Sequence, residues 1–149
     1  MTQRLDHISV APGGMKALGG VHAYLAESDL PKPLIDLVFL RTSQLNGCAY
    51  CIDMHSRDLL KSGLSVDKLV LIPAWREAGT LFSAKEQAAL LWAESLTLLA
   101  ETGAPDEDFA AVRSHFSERE VADLTIAIGL MNAYNRIGVG FRLTPAAAK

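Results

Sequence analysis

The chain contains two cysteines, Cys48 and Cys51, and a histidine, His55, follows one helical turn after the second. Residues three and four positions apart share a face of an α-helix, so the two thiols and the imidazole are predicted to lie within an arc of about 60°. A histidine one turn from a thiol can accept its proton, and a second thiol can resolve an oxidised first one. The spacing therefore predicts redox chemistry at a dithiol.

The predicted start of a helix at or just before Cys48 favours the same chemistry. Free backbone N–H groups and the positive end of the helix dipole stabilise a thiolate. An ordinary thiol is only a few per cent ionised at neutral pH, so this stabilisation matters. The residues alone leave the reactive thiol open, because Cys51 is one turn from His55 whereas Cys48 is nearer the helix N-terminus.

A C-x-x-C pair can also bind a metal, with His55 as a third ligand. A closed zinc site has four ligands, and the other histidines, His7, His22 and His115, form no pair with ligand spacing. We therefore expect no metal and no other cofactor. Two cysteines in a reducing compartment indicate a redox pair rather than a disulfide framework.

The element that must position the thiols is a predicted helix over residues 48–62, ended by Gly63. Capping boxes and prolines mark further helices, and alternating strand patterns do not occur in the sequence. The predicted fold is an all-α bundle of about seven helices in a single domain, residues 1–149. The other predicted helices are 12–27, a segment at 34–45 ended by Asn46-Gly47, one that Ser65 caps and Pro73 breaks, 83–101, 105–116 and 117–141.

Several other polar and aromatic residues are expected to serve packing. His22 lies on the first predicted helix and His115 near the end of the sixth, so both are predicted to pack or to face solvent. Asn132 and Asn135 stand among apolar residues of the last helix. They can bond neighbouring helices or line a pocket, and we favour the structural role. Trp75 and Trp92 are expected in the core or in an interface.

Composition excludes several classes of protein. The 149 residues fit one domain, and the net charge of −3 argues against nucleic-acid binding. Uncharged apolar stretches are too short to span a bilayer, and the first ten residues contain no apolar signal core, so we expect a cytoplasmic protein without membrane contact. Half of the residues are hydrophobic, which suggests apolar surface buried between subunits of a homo-oligomer.

Several motifs together resemble the alkyl hydroperoxidase D (AhpD) family of the carboxymuconolactone decarboxylase superfamily. They are Asp36-Leu37-Val38-Phe39-Leu40-Arg41, then Ser43-Gln44-Leu45-Asn46-Gly47-Cys48-Ala49-Tyr50-Cys51, and then His55. The segments Pro73-Ala74-Trp75-Arg76-Glu77-Ala78 and Asn132-Ala133-Tyr134-Asn135-Arg136 are also similar to family members. The resemblance extends over roughly residues 31–141.

This resemblance implies an all-α homo-oligomer, a dimer, trimer or hexamer, that reduces hydroperoxides with electrons from a dithiol donor or redox partner protein. Carried over by position, Cys51 is the peroxide-attacking thiol, Cys48 the resolving thiol and His55 the base of a proton relay. Asp36 stands where the family usually has a glutamate. Aspartate is one methylene shorter, so a direct hydrogen bond to His55 is expected to become water-bridged.

Three alternatives remain open at this point. The chain could be a dithiol–disulfide exchange adaptor that never meets peroxide. It could also follow the decarboxylase branch of the superfamily, although members of that branch generally lack the cysteine pair. A third alternative is a metal-binding or structural oligomer without turnover.

Overall fold

The structure, a computed structural model, describes residues 2–148, and this range contains α-helices, 3-10 helices and no strand. The predicted all-α fold is thereby confirmed. Two of the nine α-helices in this range, α1 at His7–Val10 and α7 at Leu99–Thr102, are single turns that were not predicted as separate helices, and the other seven match the predicted number. The helices are α1 His7–Val10, α2 Pro12–Ala26, α3 Lys32–Asn46, α4 Ala49–Lys61, α5 Val66–Leu71, α6 Ala84–Thr97, α7 Leu99–Thr102, α8 Asp106–Arg113 and α9 Glu118–Phe141, with 3-10 helices at Ile72–Glu77 and Ala146–Ala148.

The helix starts follow the predicted capping residues. Ser83 and Ser117 each form a complete capping box, and the Ser65 hydroxyl accepts a hydrogen bond from the Lys68 amide at the start of α5. Pro73 lies in the 3-10 helix that follows α5, so the predicted break is confirmed. None of the helices between residues 2 and 148 has the length and apolar character needed to cross a membrane.

The helix predicted over 83–101 is shorter than expected. It ends at Thr97, and the chain then makes the separate turn α7. The Thr102 hydroxyl donates a hydrogen bond to the Ser95 carbonyl, and Gly103 ends the turn in the left-handed region at φ 66°. This local hydrogen bond folds the chain back where a continued helix was predicted.

Helix α3 is the central element of the core. It packs against α4, α6 and α9, and its residues from Leu34 to Leu40 are all buried. A helix that is covered on several sides must be apolar around most of its circumference. The polar residues that α3 nevertheless carries, among them Asp36 and Arg41, therefore need specific partners.

Arg41 finds its partner in Glu94 of α6. The Glu94 carboxylate accepts hydrogen bonds from Arg41 Nε at 2.7 Å, from Trp75 Nε1 at 2.8 Å and from the Arg76 guanidinium. Burial opposes ionisation of Glu94, but these three donors outweigh it and hold the pKa of the carboxyl below its ordinary value. The cluster joins α3, the 3-10 helix Ile72–Glu77 and α6.

Candidate dithiol active site

The two cysteines lie at the junction between α3 and α4. Gly47 ends α3 with φ 68°, a left-handed conformation that glycine adopts without steric cost. The Cys48 amide donates to the Ser43 carbonyl at 3.0 Å and the Gly47 amide to the Gln44 carbonyl at 3.3 Å, which is a Schellman closure. The backbone of Cys48 therefore completes α3.

The side chain of Cys48 begins the next helix. Cys48 is the N-cap residue of α4, and its Sγ accepts a hydrogen bond from the Cys51 amide, with 3.4 Å between nitrogen and sulfur. The prediction that the helix includes Cys48 is therefore wrong by one residue, because the left-handed Gly47 leaves Cys48 in an extended conformation. The N-cap position of Cys48 favours redox chemistry at the dithiol, since Cys48 Sγ is held against the free N–H groups of the first turn.

Cys48 and Cys51 are joined in a disulfide, and their Cα atoms are 5.4 Å apart. Both residues are buried, Cys48 to 1 % exposure and Cys51 to 3 %. The pair packs against α9 at Gly138. A Cβ atom added to Gly138 would lie 2.8 Å from Cys48 Sγ and 3.5 Å from Cys51 Sγ, so the absence of a side chain there makes room for the sulfurs.

His55 lies one turn after Cys51, and Asp36 of α3 faces it. Both side chains are buried, and His55 Nδ1 is 3.9 Å from Asp36 Oδ1. That distance is too long for a direct hydrogen bond. Neither ring nitrogen of His55 has a hydrogen-bond partner among residues 2–148. The second carboxylate oxygen of Asp36 accepts from Lys32 Nζ, and the Phe39 ring packs 5.2 Å from the imidazole.

The burial of His55 determines its resting charge. Desolvation lowers the pKa of His55 from 6.5 to about 4, although the nearby Asp36 carboxylate acts in the opposite direction. The imidazole is therefore neutral at physiological pH, which is the form that can accept a proton from a thiol. Burial disfavours an imidazolium at this position, and the negative charge of Asp36 offsets part of that cost.

A cavity of about 890 Å³ borders Cys51 and His55. One wall comes from the N-terminal segment, where the Arg4 amide donates to the Phe141 carbonyl at 2.9 Å and the His7 ring stacks on Phe141. Many of the side chains that line the cavity are apolar, which suits an organic molecule with an apolar body. They include Leu5, Ile8, Met15, Met54, Met131, Tyr134 and Ile137.

Two residues near the site were not assigned to it from the sequence. His22 of α2 lines the same cavity, so it lies beside the candidate site rather than only in packing. Asp58 follows His55 on α4 and, with Asp36, brings two carboxylates and one imidazole within 4.8 Å of one another. This set could contribute three ligands to a cation, but one oxygen of Asp36 is already in contact with the Lys32 ammonium. The i, i+3 spacing from His55 was the only signal for Asp58.

Asn132 and Asn135 take the structural role that was favoured for them. Asn46 Nδ2 donates to Asn132 Oδ1 at 3.0 Å and to Asn135 Oδ1 at 2.9 Å, while Asn135 Nδ2 donates to Ser43 Oγ at 2.9 Å. These bonds fasten α9 to the C-terminal turn of α3, directly before the cysteines. The network therefore fixes α9 near the point where Gly138 meets the sulfurs.

The buried neutral state of His55 predicts a loss of stability in acid. Unfolding restores an ordinary pKa, so the unfolded chain binds one more proton between pH 6.5 and about 4. We expect the free energy of unfolding of the oxidised protein to fall by about 2 kcal/mol from this group between about pH 7 and pH 5. Urea unfolding of His55→Gln should lack this component, whereas exposed His115→Gln should retain it. An unchanged pH dependence in His55→Gln would contradict the assignment.

Comparisons with known proteins identify the family of the chain. The pattern of the carboxymuconolactone decarboxylase family matches residues 12–95. The uncharacterised protein YdfG of Bacillus subtilis (strain 168) is 37 % identical over 139 residues, which are 93 % of this chain and 94 % of that protein.

Solved structures show the same fold. ATU0492 of Agrobacterium tumefaciens, a protein of unknown function that has been suggested to be the antioxidant defence protein AhpD, is 40 % identical with a TM-score of 0.93, over 97 % of this chain and 98 % of that one. The debrominase Bmp8 has a TM-score of 0.79 at 19 % identity, over 95 % of this chain and 75 % of that one, and it shares the fold alone. The chain belongs to the carboxymuconolactone decarboxylase family and has an AhpD-like fold.

Proposed function

We propose that the protein is a thiol-dependent peroxidase that reduces organic hydroperoxides and is re-reduced by a dithiol donor. The observation that carries the proposal is the disulfide between Cys48 and Cys51 at the start of α4, with His55 one turn away and a mostly apolar cavity beside Cys51. Cys51 is the attacking thiol because it borders this cavity together with His55. Cys48, which does not line that cavity, is the resolving thiol.

The proposed reaction has two steps in the oxidative half. The Cys51 thiolate attacks the terminal oxygen of the hydroperoxide, the O–O bond breaks, and the alcohol leaves after taking up a proton, so Cys51 becomes a sulfenic acid. The Cys48 thiol then loses its proton and attacks the Cys51 sulfur, the S–O bond breaks, and the departing hydroxide takes up a proton and leaves as water as the disulfide forms. Neutral His55 accepts the proton of the Cys51 thiol and passes it to the leaving oxygen.

Asp36 acts in this proposal as a positioning residue through its charge. At 3.9 Å its carboxylate does not bond the imidazole directly, but a negative charge at that distance stabilises the transient imidazolium. The shorter aspartate thus retains an electrostatic role where a direct hydrogen bond is absent. Its burial, in contact with Lys32, argues against a residue that merely decorates the first turn of α3.

The alternatives account for less of the site. An exchange adaptor has no use for a cavity of about 890 Å³ beside its thiol. Decarboxylation has no use for a dithiol, and the debrominase with this fold shows that the fold by itself does not select one reaction.

A cytoplasmic location is part of the proposal, because cytoplasmic dithiol systems keep such a donor reduced.

The roles of the two cysteines can be separated by substitution. We expect an organic hydroperoxide to convert the reduced wild-type protein to the Cys48–Cys51 disulfide, seen by thiol titration and peptide mass analysis. Cys51→Ser should lose turnover, whereas Cys48→Ser should oxidise once and remain a sulfenic acid on Cys51. Trapping of a sulfenic acid on Cys48 in Cys51→Ser would reverse the assignment, and two free thiols after peroxide treatment of the wild type would rule out a peroxidase.

A further prediction concerns the charge of Asp36. Asp36→Asn keeps the size of the side chain but removes its charge, so the rate of Cys51 oxidation near neutral pH should fall about ten- to a hundredfold. The double variant with His55→Ala should be little slower than His55→Ala alone, because residues acting as one unit are not additive. Stopped-flow rates as a function of pH provide the measurement, with exposed Asp67→Asn as the control. Additive losses would remove Asp36 from the relay.

We also propose that the protein self-associates through the surface of α1 and α2. Ile8 and Val10 are 61 % and 66 % exposed, and Tyr24 is 44 % exposed. Helix α2 contains one charged residue, Lys16, and most of its surface is exposed. An apolar surface of this kind marks an interface more often than a solvated face.

Light scattering tests this proposal. We expect a mass that is a multiple of 16.1 kDa at micromolar concentration. Val10→Asp should shift the equilibrium toward the single chain because a charge is then buried in the interface. Thr80→Asp, on the exposed loop before α6, adds the same charge elsewhere and should leave the mass unchanged. A single-chain mass for the unaltered protein would refute self-association.

A further inference from the structure

The two cysteines border different cavities. Cys51 lines the large cavity that also contains His55, which we call the peroxide cavity. Cys48 lines a second cavity of about 280 Å³ between the C-terminal end of α9 and the segment that follows it. Cys48 is absent from the lining of the first cavity and Cys51 from that of the second. The two cavities adjoin, since Tyr50, Leu143 and Thr144 border both of them.

The second cavity reaches Cys48 along the glycine of α9. Gly138 lines it, and the position of a Cβ on Gly138 is closer to Cys48 Sγ than to Cys51 Sγ. Exposed residues form its rim, with Val139 49 % exposed and Arg142 also exposed. Cys48 is therefore the cysteine that borders this cavity, and the positive charge of Arg142 in the same lining can attract a thiolate.

We propose that this second cavity, the donor cavity, is where the reducing dithiol attacks, and that it attacks Cys48. The inference rests on the proposed function, because a donor is needed only if the protein turns over. The thiol–disulfide exchange itself involves only the disulfide and the donor. A donor thiolate bonds to Cys48 Sγ, the Cys48–Cys51 bond breaks, and its electron pair leaves on Cys51 as a thiolate. The second donor thiol then attacks the mixed disulfide, loses its proton, and releases Cys48 as a thiolate and the donor as a cyclic or intramolecular disulfide.

Attack at Cys48 releases the thiolate on Cys51, which is the cysteine that reacts with hydroperoxide. The leaving thiolate is Cys51, which emerges in the peroxide cavity beside His55 and is ready for the next hydroperoxide. Attack at Cys51 would instead require the donor to occupy the peroxide cavity and would leave the thiolate on Cys48, against α9. Because each cysteine borders its own cavity, donor and hydroperoxide do not compete for one binding space.

Two neighbours of Gly138 give a matched pair of variants. Val139 lines the donor cavity and Ile137 lines the peroxide cavity. Val139→Trp should slow reduction of the disulfide by dithiothreitol at least about tenfold by restricting access to Cys48, and should leave oxidation of the reduced protein by cumene hydroperoxide within about twofold. Ile137→Trp should show the reverse. Equal effects of both variants on reduction, or a larger effect of Ile137→Trp, would overturn the proposal.

Adduct mapping on the unaltered protein makes the test independent of whether a variant folds. The protein is oxidised with diamide, exposed briefly to 2-mercaptoethanol, and alkylated with iodoacetamide before peptide mass analysis. We expect mercaptoethanol on Cys48 and the alkyl group on Cys51, and the opposite pattern or an equal mixture would overturn the proposal. Because diamide forms the disulfide without peroxide, a protein that fails to react with hydroperoxide still gives a result here.

Discussion

Helix α3 is enclosed by α4, α6 and α9, and the arrangement of the molecule depends on this enclosure. Because its surroundings are apolar, the buried polar residues that α3 carries need partners, and several of them find one on a neighbouring helix. Arg41 is matched by Glu94, and Ser43 receives a hydrogen bond from Asn135. Asp36 is matched by Lys32 on its own helix and by the nearby imidazole of His55. The hydrogen bonds of Asn135 with Ser43 and Asn46 thus join α9 to the end of α3 that leads into the dithiol.

The dithiol occupies the most constrained point of this packing. The backbone of Cys48 closes α3 and its sulfur caps α4, so one residue belongs to both helix ends. The sulfurs then fill the space left by Gly138 on α9. A buried sulfur pair between three helices is shielded from most solutes, and access through separate cavities determines which molecules reach each sulfur.

The local part of the site could be predicted from the sequence, whereas the long-range part could not. The spacing of Cys48, Cys51 and His55 lies within two turns of one helix, and capping residues marked most helix starts. The role of Asp36 was predicted only from the resemblance to the AhpD family, because no local sequence pattern connects Asp36 to His55 on the following helix. Gly138 and His22 meet the site only through tertiary packing, and a glycine in a helix carries no signal of what it faces. The end of α6 was misplaced because no turn residue precedes Gly103 to mark it, and the hydrogen bond from Thr102 to Ser95 is visible only in the structure.

The position of Gly138 on a long unbroken helix also constrains how this sequence can vary in length. Helix α9 runs without interruption from its capping box at Ser117 to Phe141, and each residue advances it by about 100° around its axis. Deleting or inserting a single residue between the cap and Gly138 would rotate one part of the helix against the other. Either Ile137 or Val139 would then face the sulfurs, or Asn132 and Asn135 would turn away from α3. Insertions and deletions accepted during evolution should therefore collect in the connections outside α9, and substitutions should carry the variation within it.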